Sequence, residues 1–341
     1  MTENSHIEIG WDIGIKNLSY CVLQKLSEKE YKTWVKDKKC VLDINGTKIG
    51  VVSWDIINLQ NNINNDLVND GVLPITGKSI SSCVVKDCGK KSNYGVSINK
   101  TLIRKMKKDS EGNKMYMKYG QNYYIGYCKS HKTLAIESHP NTTLYSIEKK
   151  KKATGINLTV LGAELYNELD KRNDIVVKNV NVSLLENQPV LKNPNMKSMQ
   201  MLLYSYYILR GMVDVKKGSD GSDGSDGSAE GNGDADGGNS NKSIPLKKIM
   251  CYQANNKLKI TKYLPKNIVD EIEENTKSNP KTKKGYTGYQ KNKKRAISYT
   301  KYLINEVAHG DDKFKKFFND SKKQDDLADS FLMVLYHLLE S

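Results

Sequence analysis

Two apolar, β-rich runs open the chain, residues 7–13 (Ile-Glu-Ile-Gly-Trp-Asp-Ile) and 18–23 (Leu-Ser-Tyr-Cys-Val-Leu), with only Gly14, Ile15, Lys16 and Asn17 between them. A connector that short joins antiparallel neighbours, because parallel strands need a crossover of a dozen or more residues. A third run, residues 48–57, has the β-branched content of a sheet strand, so the chain begins as an antiparallel meander.

The pattern then changes. Between 155 and 172 the apolar positions Ile156, Leu158, Val160, Leu161, Leu165 and Leu169 recur near helical spacing, and residues 175–185 return to β-rich sequence ending at Glu186. Met196, Met199, Leu202, Leu203, Tyr206 and Leu209 mark a helix over 195–213, residues 249–252 read as a short strand, and 292–307 and 325–339 read as helices. Antiparallel strands followed by alternating strands and helices predict an α/β fold, a mixed sheet with flanking helices. Residues 61–150 interrupt the pattern as an inserted subdomain, leaving 1–60 and 151–341 as the main domain. The stretch 218–241, with Gly-Ser-Asp repeated three times, is too polar to order itself and reads as an acidic linker loop.

Net charge is +15, and the six acids of residues 218–241 conceal part of the basicity; without that stretch the remainder carries +21. Such an excess suits a polyanionic partner. Only Arg104, Arg172, Arg210 and Arg295 are arginines among 54 basic residues, so a lysine-rich solvated surface is the bland alternative. No window approaches the ~20 apolar residues of a membrane span, and Glu3 and Glu8 leave no room for a cleavable leader. The expectation is an intracellular, reducing location, with six cysteines as thiols or metal ligands.

Carboxylates fall at the edges of apolar elements. Asp12 ends the first run, Glu186 ends residues 175–185, and Asp325, Asp326 and Asp329 open the last helix. Helical spacing lets either Asp325 or Asp326 share a face with Asp329. Separately, Asp12 reads as a turn cap, Glu186 as a strand end and the helical acids as complements to the helix dipole. Together they read as ligands for a hard divalent cation, Mg²⁺ or Mn²⁺.

Asp12-Ile-Gly-Ile-Lys-Asn17, Glu186-Asn-Gln-Pro189 and Lys322-Lys-Gln-Asp-Asp-Leu-Ala-Asp-Ser330 resemble the motifs of RuvC-type Holliday junction resolvases, in particular the branch of poxviruses, other large DNA viruses and fungal mitochondria. The resemblance covers roughly residues 7–60 and 155–340. It implies a ribonuclease H-like fold, a homodimer, and nicking of opposed strands in four-way DNA junctions with two Mg²⁺ (or Mn²⁺) ions per active site. Position by position it assigns Asp12, Glu186, Asp326 and Asp329 as catalytic metal ligands. Lys322 and Lys323, just before the acidic helix, would contact the scissile phosphate or serve as ordinary surface lysines. The apolar stripes of residues 195–213 and 292–307 are candidate dimer surfaces. Two further readings stand beside this one: another ribonuclease H-like or transposon-associated nuclease, and a non-catalytic zinc-containing DNA-binding protein.

Cys83 and Cys88, then Cys128 and His131, form two pairs with ligand-like spacing, and a Cys₃His set suits a closed structural Zn²⁺ site. Cys21, Cys40 and Cys251 lie in strand-like sequence and are expected in the core. Lysines and tyrosines crowd the segment between the ligand pairs and could meet phosphates and bases. A second basic run, with Lys283, Lys284, Lys293, Lys294 and Arg295, is the other candidate DNA contact.

Overall fold

A computed structural model describes residues 6–60, 62–63, 72–75, 83–105, 116–119, 121–149, 156–189, 194–214, 246–277 and 287–341. The acidic loop of 218–241, and with it Lys283 and Lys284, lies outside these residues. Its strands in chain order are β1 (His6–Asp12), β2 (Leu18–Lys25), β3 (Val41–Ile44), β4 (Thr47–Ile57), β5 (Val72–Ile75), β6 (Tyr94–Ile98), β7 (Tyr116–Tyr119), β8 (Asn122–Tyr127), β9 (Leu144–Lys149), β10 (Val182–Glu186) and β11 (Lys248–Tyr252). The chain packs as two compact units, Met1–Leu59 with Leu161–Ser341, and Gln60–Val160.

In the first unit six strands form one mixed sheet in the order β11-β10-β1-β2-β4-β3. The opening meander appears as β1, β2 and β4, each antiparallel to its neighbour. The sequence reading missed β3 and the helix Glu28–Lys36 between β2 and β4; the helix is capped by Ser27 and Glu30 acting reciprocally. Beyond the meander, β10 lies parallel to β1, and β11 lies parallel to β10. The arrangement is the mixed α/β sheet with helices that the sequence pattern predicts.

Strand alternation decides which side chains of β1 face which layer. Ile9 and Trp11 turn to one side, where the Trp11 indole donates to the Tyr207 hydroxyl at 2.8 Å and that hydroxyl donates to the Val176 carbonyl at 2.9 Å. Glu8, Gly10 and Asp12 turn to the other, against the C-terminal helix Gln324–Glu340. At Gly10 strand and helix approach closely: a Cβ there would stand 2.7 Å from the Ser330 carbonyl oxygen. Hydrogen bonds from the Trp54 indole to the Leu327 carbonyl (3.2 Å) and between the Ser19 and Ser330 hydroxyls (2.8 Å) fix the helix along the sheet. Leu327, Phe331, Val334, Leu335 and Leu338 are fully buried in that layer, each removal from water stabilising by roughly 1.5–3 kcal/mol.

Two expectations need correction here. Residues 173–176 form a short helix, so the strand ending at Glu186 begins only at Val182. Cys251 is exposed in β11, which closes one edge of the sheet, whereas Cys21 and Cys40 are buried as expected. The helix read over 195–213 runs Pro194–Tyr206 and continues as a π-helical segment Tyr207–Val213; that over 292–307 runs Gly288–Tyr302 and likewise ends in a π-helical turn, Leu303–Val307.

In the second unit β5, β9, β6, β8 and β7 form a five-stranded sheet in that order. Val96, Ile98, Ile125, Tyr127 and Ala135 make its small core. Among the described residues of both units, no helix is long and apolar enough to cross a membrane.

Candidate metal centres

The sheet register brings the first two carboxylates together. Gly10 is level with Leu184 and Trp11 with Leu185, so Asp12 and Glu186 end adjacent parallel strands on the same face, with strands in that direction ~4.8 Å apart. The C-terminal helix, held close by Gly10, supplies Asp329 from above. Ligand oxygens of Asp12, Glu186 and Asp329 all lie within 4.8 Å of one another.

Three carboxylates cannot stand so close without a counter-charge. Burial, followed by the charges of Glu186 and Asp329, pushes the Asp12 carboxyl well above its ordinary range. Burial also pushes Asp329 up to about 6, although Lys257 pulls the other way. The Lys257 ammonium bridges Asp329 and Glu186, lying 3.7 Å from the latter. Burial lowers the Lys257 pKa less than its two carboxylate partners raise it. One oxygen of Asp329, Oδ1, is buried without any hydrogen-bond partner. A carboxylate with an orphaned oxygen, grouped with two further carboxylates, is a donor set that fits a hard divalent cation.

Sequence reasoning missed Lys257. It lies in a run of 3-10 turns, Ala254–Tyr263, immediately after β11, and nothing in its spacing separates it from the chain's many other lysines. The other expected residues fall around the cluster. Asp326 is half-buried one turn before Asp329 and is not one of the three grouped carboxylates; burial and the neighbouring Asp325 raise its pKa. Asp325 is engaged by Lys293, whose ammonium outweighs burial and lowers the acid's pKa. Lys323 lies 3.9 Å from Asp326 and Lys322 is exposed. Lys293 also sits 5.0 Å from the ring centre of Tyr289, Lys294 is exposed, and Arg295 is tied to Glu273 at 2.6 Å.

Behind Glu186 lies a neutral scaffold. The Gln188 amide donates to Glu186 Oε2 at 3.0 Å, and Gln188's backbone N–H donates to Gln200 Oε1 at 3.1 Å. Gln200 is fully buried on the helix Pro194–Tyr206, and its own amide donates to Cys251 Sγ at 3.0 Å. Glu186 thus takes its orientation from three elements at once.

The second unit holds the other cluster. Cys83 and Cys88 flank a tight turn in which Asp87 (φ 61°) is left-handed, Gly89 (φ 57°) just beyond it is left-handed too, and the Val84 N–H donates to the Gly126 carbonyl at 2.7 Å. Cys128 follows β8 directly, and a single 3-10 turn carries His131 back towards it. Cys88 and Cys128 sulfurs lie 3.7 Å apart, and His131 Nδ1 is 3.4 Å from the sulfurs of both Cys83 and Cys128. A regular tetrahedron built on Zn–S and Zn–N bonds has edges of about 3.8 and 3.6 Å. These three separations match such edges, and the four ligand atoms all lie within 4.8 Å of one another.

No family model matches the chain. An uncharacterized protein of Acanthamoeba polyphaga mimivirus, L451, is 26% identical over an alignment of 365 residues that takes in 97% of this chain and 74% of the relative. Among solved structures, the yeast mitochondrial Holliday junction resolvase Ydc2 aligns with 96% of this chain and 77% of its own at 12% identity, with a TM-score of 0.35. A likeness at that score carries no argument about fold or activity.

Proposed function

We propose that this chain is a metal-dependent endonuclease that cuts branched DNA, four-way junctions above all, as a homodimer. The observation that carries this is the convergence of Asp12, Glu186 and Asp329 from two adjacent parallel strand ends and the facing helix, on a chain whose charge is +15. Asp12, Glu186 and Asp329 would hold Mg²⁺ or Mn²⁺, with Asp326 a further ligand from the preceding turn. Two such ions, when bound, supply an activated water and stabilisation of the departing oxygen.

The chemistry is hydrolysis. Water attacks phosphorus, the bond to the 3′ oxygen breaks, that oxygen takes a proton, and a 5′-phosphate and a 3′-hydroxyl remain. Lys257 compensates the carboxylates before metal and substrate arrive, and its ammonium would then exchange them for a non-bridging phosphate oxygen as ion-pair partner. A homodimer would present two such sites to the two equivalent strands of a junction and give paired, symmetric nicks. In the other unit Cys83, Cys88, Cys128 and His131 would hold a structural Zn²⁺ that closes the small core. Lys283, Lys284, Lys293, Lys294, Arg295, Lys322 and Lys323 are the proposed DNA contacts.

The test is cleavage of end-labelled four-way junctions beside linear duplex and RNA–DNA hybrid of the same length, with Mg²⁺ and with EDTA. Mg²⁺-dependent symmetric nicking of the junction supports the proposal. Preferential cutting of the hybrid would move the reading to a ribonuclease H-like activity, and no cutting of any substrate would favour a binding protein with structural acids.

A further inference from the structure

Basic charge is concentrated in the unit that the proposed cleavage does not use. The segment Gln60–Val160 holds seventeen lysines and arginines against seven acids, ten of the chain's fifteen net positive charges. Five of its lysines are borne by the two loops that carry the Cys₃His set. Lys86 lies in the turn between Cys83 and Cys88, Lys90 and Lys91 follow that turn, Lys129 lies between Cys128 and His131, and Lys132 follows His131; all five are exposed. Their ligand neighbours all lie within 4.8 Å of one another, so the five side chains spring from one small knuckle. Lys90 ties its two loops together: its carbonyl accepts from the Cys83 N–H at 2.8 Å, and its ammonium donates to the Ser130 hydroxyl at 3.3 Å.

Little within the knuckle answers that charge. Exposed lysines of the first unit often have acids beside them, as Lys178 has Asp174 and Lys262 has Glu340; among the described residues none of these five makes an ion pair. A Zn²⁺ held by three thiolates and a neutral imidazole would carry one net negative charge, and Asp87 supplies one more, which leaves three of the five lysine charges over. The neighbouring tyrosines are taken up in packing. Tyr124 and Tyr127 are buried, Tyr116 meets Tyr123 edge-on at 5.8 Å, and the half-buried Tyr94 and Tyr123 rings carry Lys132 and Lys118 at 5.2 and 5.9 Å from their centres. What the knuckle offers is ammonium groups, the chemistry of phosphate contact and not of base stacking.

We infer that these two loops form a second DNA-binding surface, on which Lys86, Lys90, Lys91, Lys129 and Lys132 neutralise backbone phosphates of a duplex. The choice of DNA as the polyanion rests on the nuclease reading, while the anionic surface itself stands on the five clustered lysines. Because the contact is to backbone, it adds affinity for junction and duplex alike and carries no sequence preference.

The experiment uses the whole chain as purified, without chelator and without added Mg²⁺, so that cleavage stops and the Cys₃His centre stays intact. Binding of a fluorescein-labelled linear duplex and a four-way junction is followed over a series of salt concentrations. At ~0.9 per phosphate contact, combining Lys90→Gln, Lys129→Gln and Lys132→Gln should lower the magnitude of the salt slope by about 2.7 and weaken binding about a hundredfold at 0.15 M salt on both DNAs. Combining Lys29→Gln, Lys32→Gln and Lys36→Gln removes the same charge from exposed positions of the first unit and should change the slope little. A folded knuckle variant with the wild-type slope, or equal falls in the two triple variants, overturns the inference. If the knuckle variant does not fold, acetylation of wild-type lysines, read by mass spectrometry, replaces it. Duplex DNA should protect these five, and equal modification with and without DNA, or protection by phosphatidylserine vesicles and not by DNA, overturns the inference. The two readings fail separately: DNA protection in a protein that cuts nothing with Mg²⁺ keeps the surface and removes the nuclease, whereas normal cleavage with an unchanged slope does the reverse.

Discussion

Replacing Asp329 by Asn should make the metal-free protein more stable while removing its activity. The Asp329 carboxyl moves from an ordinary 3.8 to about 6 in the fold, chiefly because it is buried and partly because Glu186 is near, with Lys257 opposing. At 1.36 kcal/mol per pH unit that difference is ~3 kcal/mol against the ionised form. Since the folded pKa is the higher one, the carboxyl's contribution to stability is fully present below pH ~4 and is lost as pH rises through about 6. Asn copies the neutral form at every pH. In EDTA at pH 8, Asp329→Asn should therefore exceed wild type by up to ~3 kcal/mol, or roughly 6–12 °C in Tm for a domain of this size, and the gap should close near pH 4. Mg²⁺ at a hundred times its Kd should restore ~2.7 kcal/mol to wild type and nothing to the variant. Chemical denaturation at both pH values decides it. A variant less stable than wild type at pH 8, or a difference that ignores pH, would refute the argument that the carboxylate is held at a cost in anticipation of a cation.

Other outcomes follow from individual contacts. Asp12→Asn and Glu186→Gln should abolish Mg²⁺-dependent cleavage and leave junction binding intact, since each removes a ligand and spares the basic surface; retained nicking by Asp12→Asn would sink the site assignment. Asp326→Asn should impair cleavage more than Asp325→Asn, because Asp325 is occupied by Lys293; kinetics in the reverse order would exchange their roles. Purified protein should contain one zinc per chain by elemental analysis, lost in Cys128→Ser together with the protection of the second unit against proteolysis. At the far end of β1, fully buried Glu8 is bridged by His6 and His337, each at 2.7 Å; His337→Ala should destabilise by roughly 3–5 kcal/mol in urea titration, because a buried charge is left short of a partner.

What the sequence made legible was whatever depends on local periodicity. The opening hairpin, the strand ending at Glu186 and the acidic last helix were all readable from apolar spacing, and with them Asp12, Glu186 and Asp329. The Cys₃His set was readable because ligand spacing is a chain-local property. Lys257 was not, because its role depends on where β11 ends relative to the C-terminal helix, a tertiary fact with no local signature. Cys251 looked like a core residue because strand alternation cannot distinguish an interior strand from one at the sheet's edge. The π-helical continuations at Tyr207–Val213 and Leu303–Val307 were hidden for a similar reason: a helix with one extra residue in a turn keeps an ordinary apolar stripe. Asp325 and Asp326 are ambiguous in sequence because helix geometry permits either, and each has a lysine partner in the fold, Lys293 for Asp325 and Lys323 for Asp326.

Whether Asp12, Glu186 and Asp329 form a divalent-metal centre is decided by anomalous diffraction from crystals grown with Mn²⁺. Anomalous peaks are expected bonded to oxygens of these three carboxylates, including the orphaned Oδ1 of Asp329, with the Lys257 ammonium moved away from its bridge. Crystals in which Mn²⁺ binds elsewhere, and Lys257 still spans Glu186 and Asp329, would contradict that assignment.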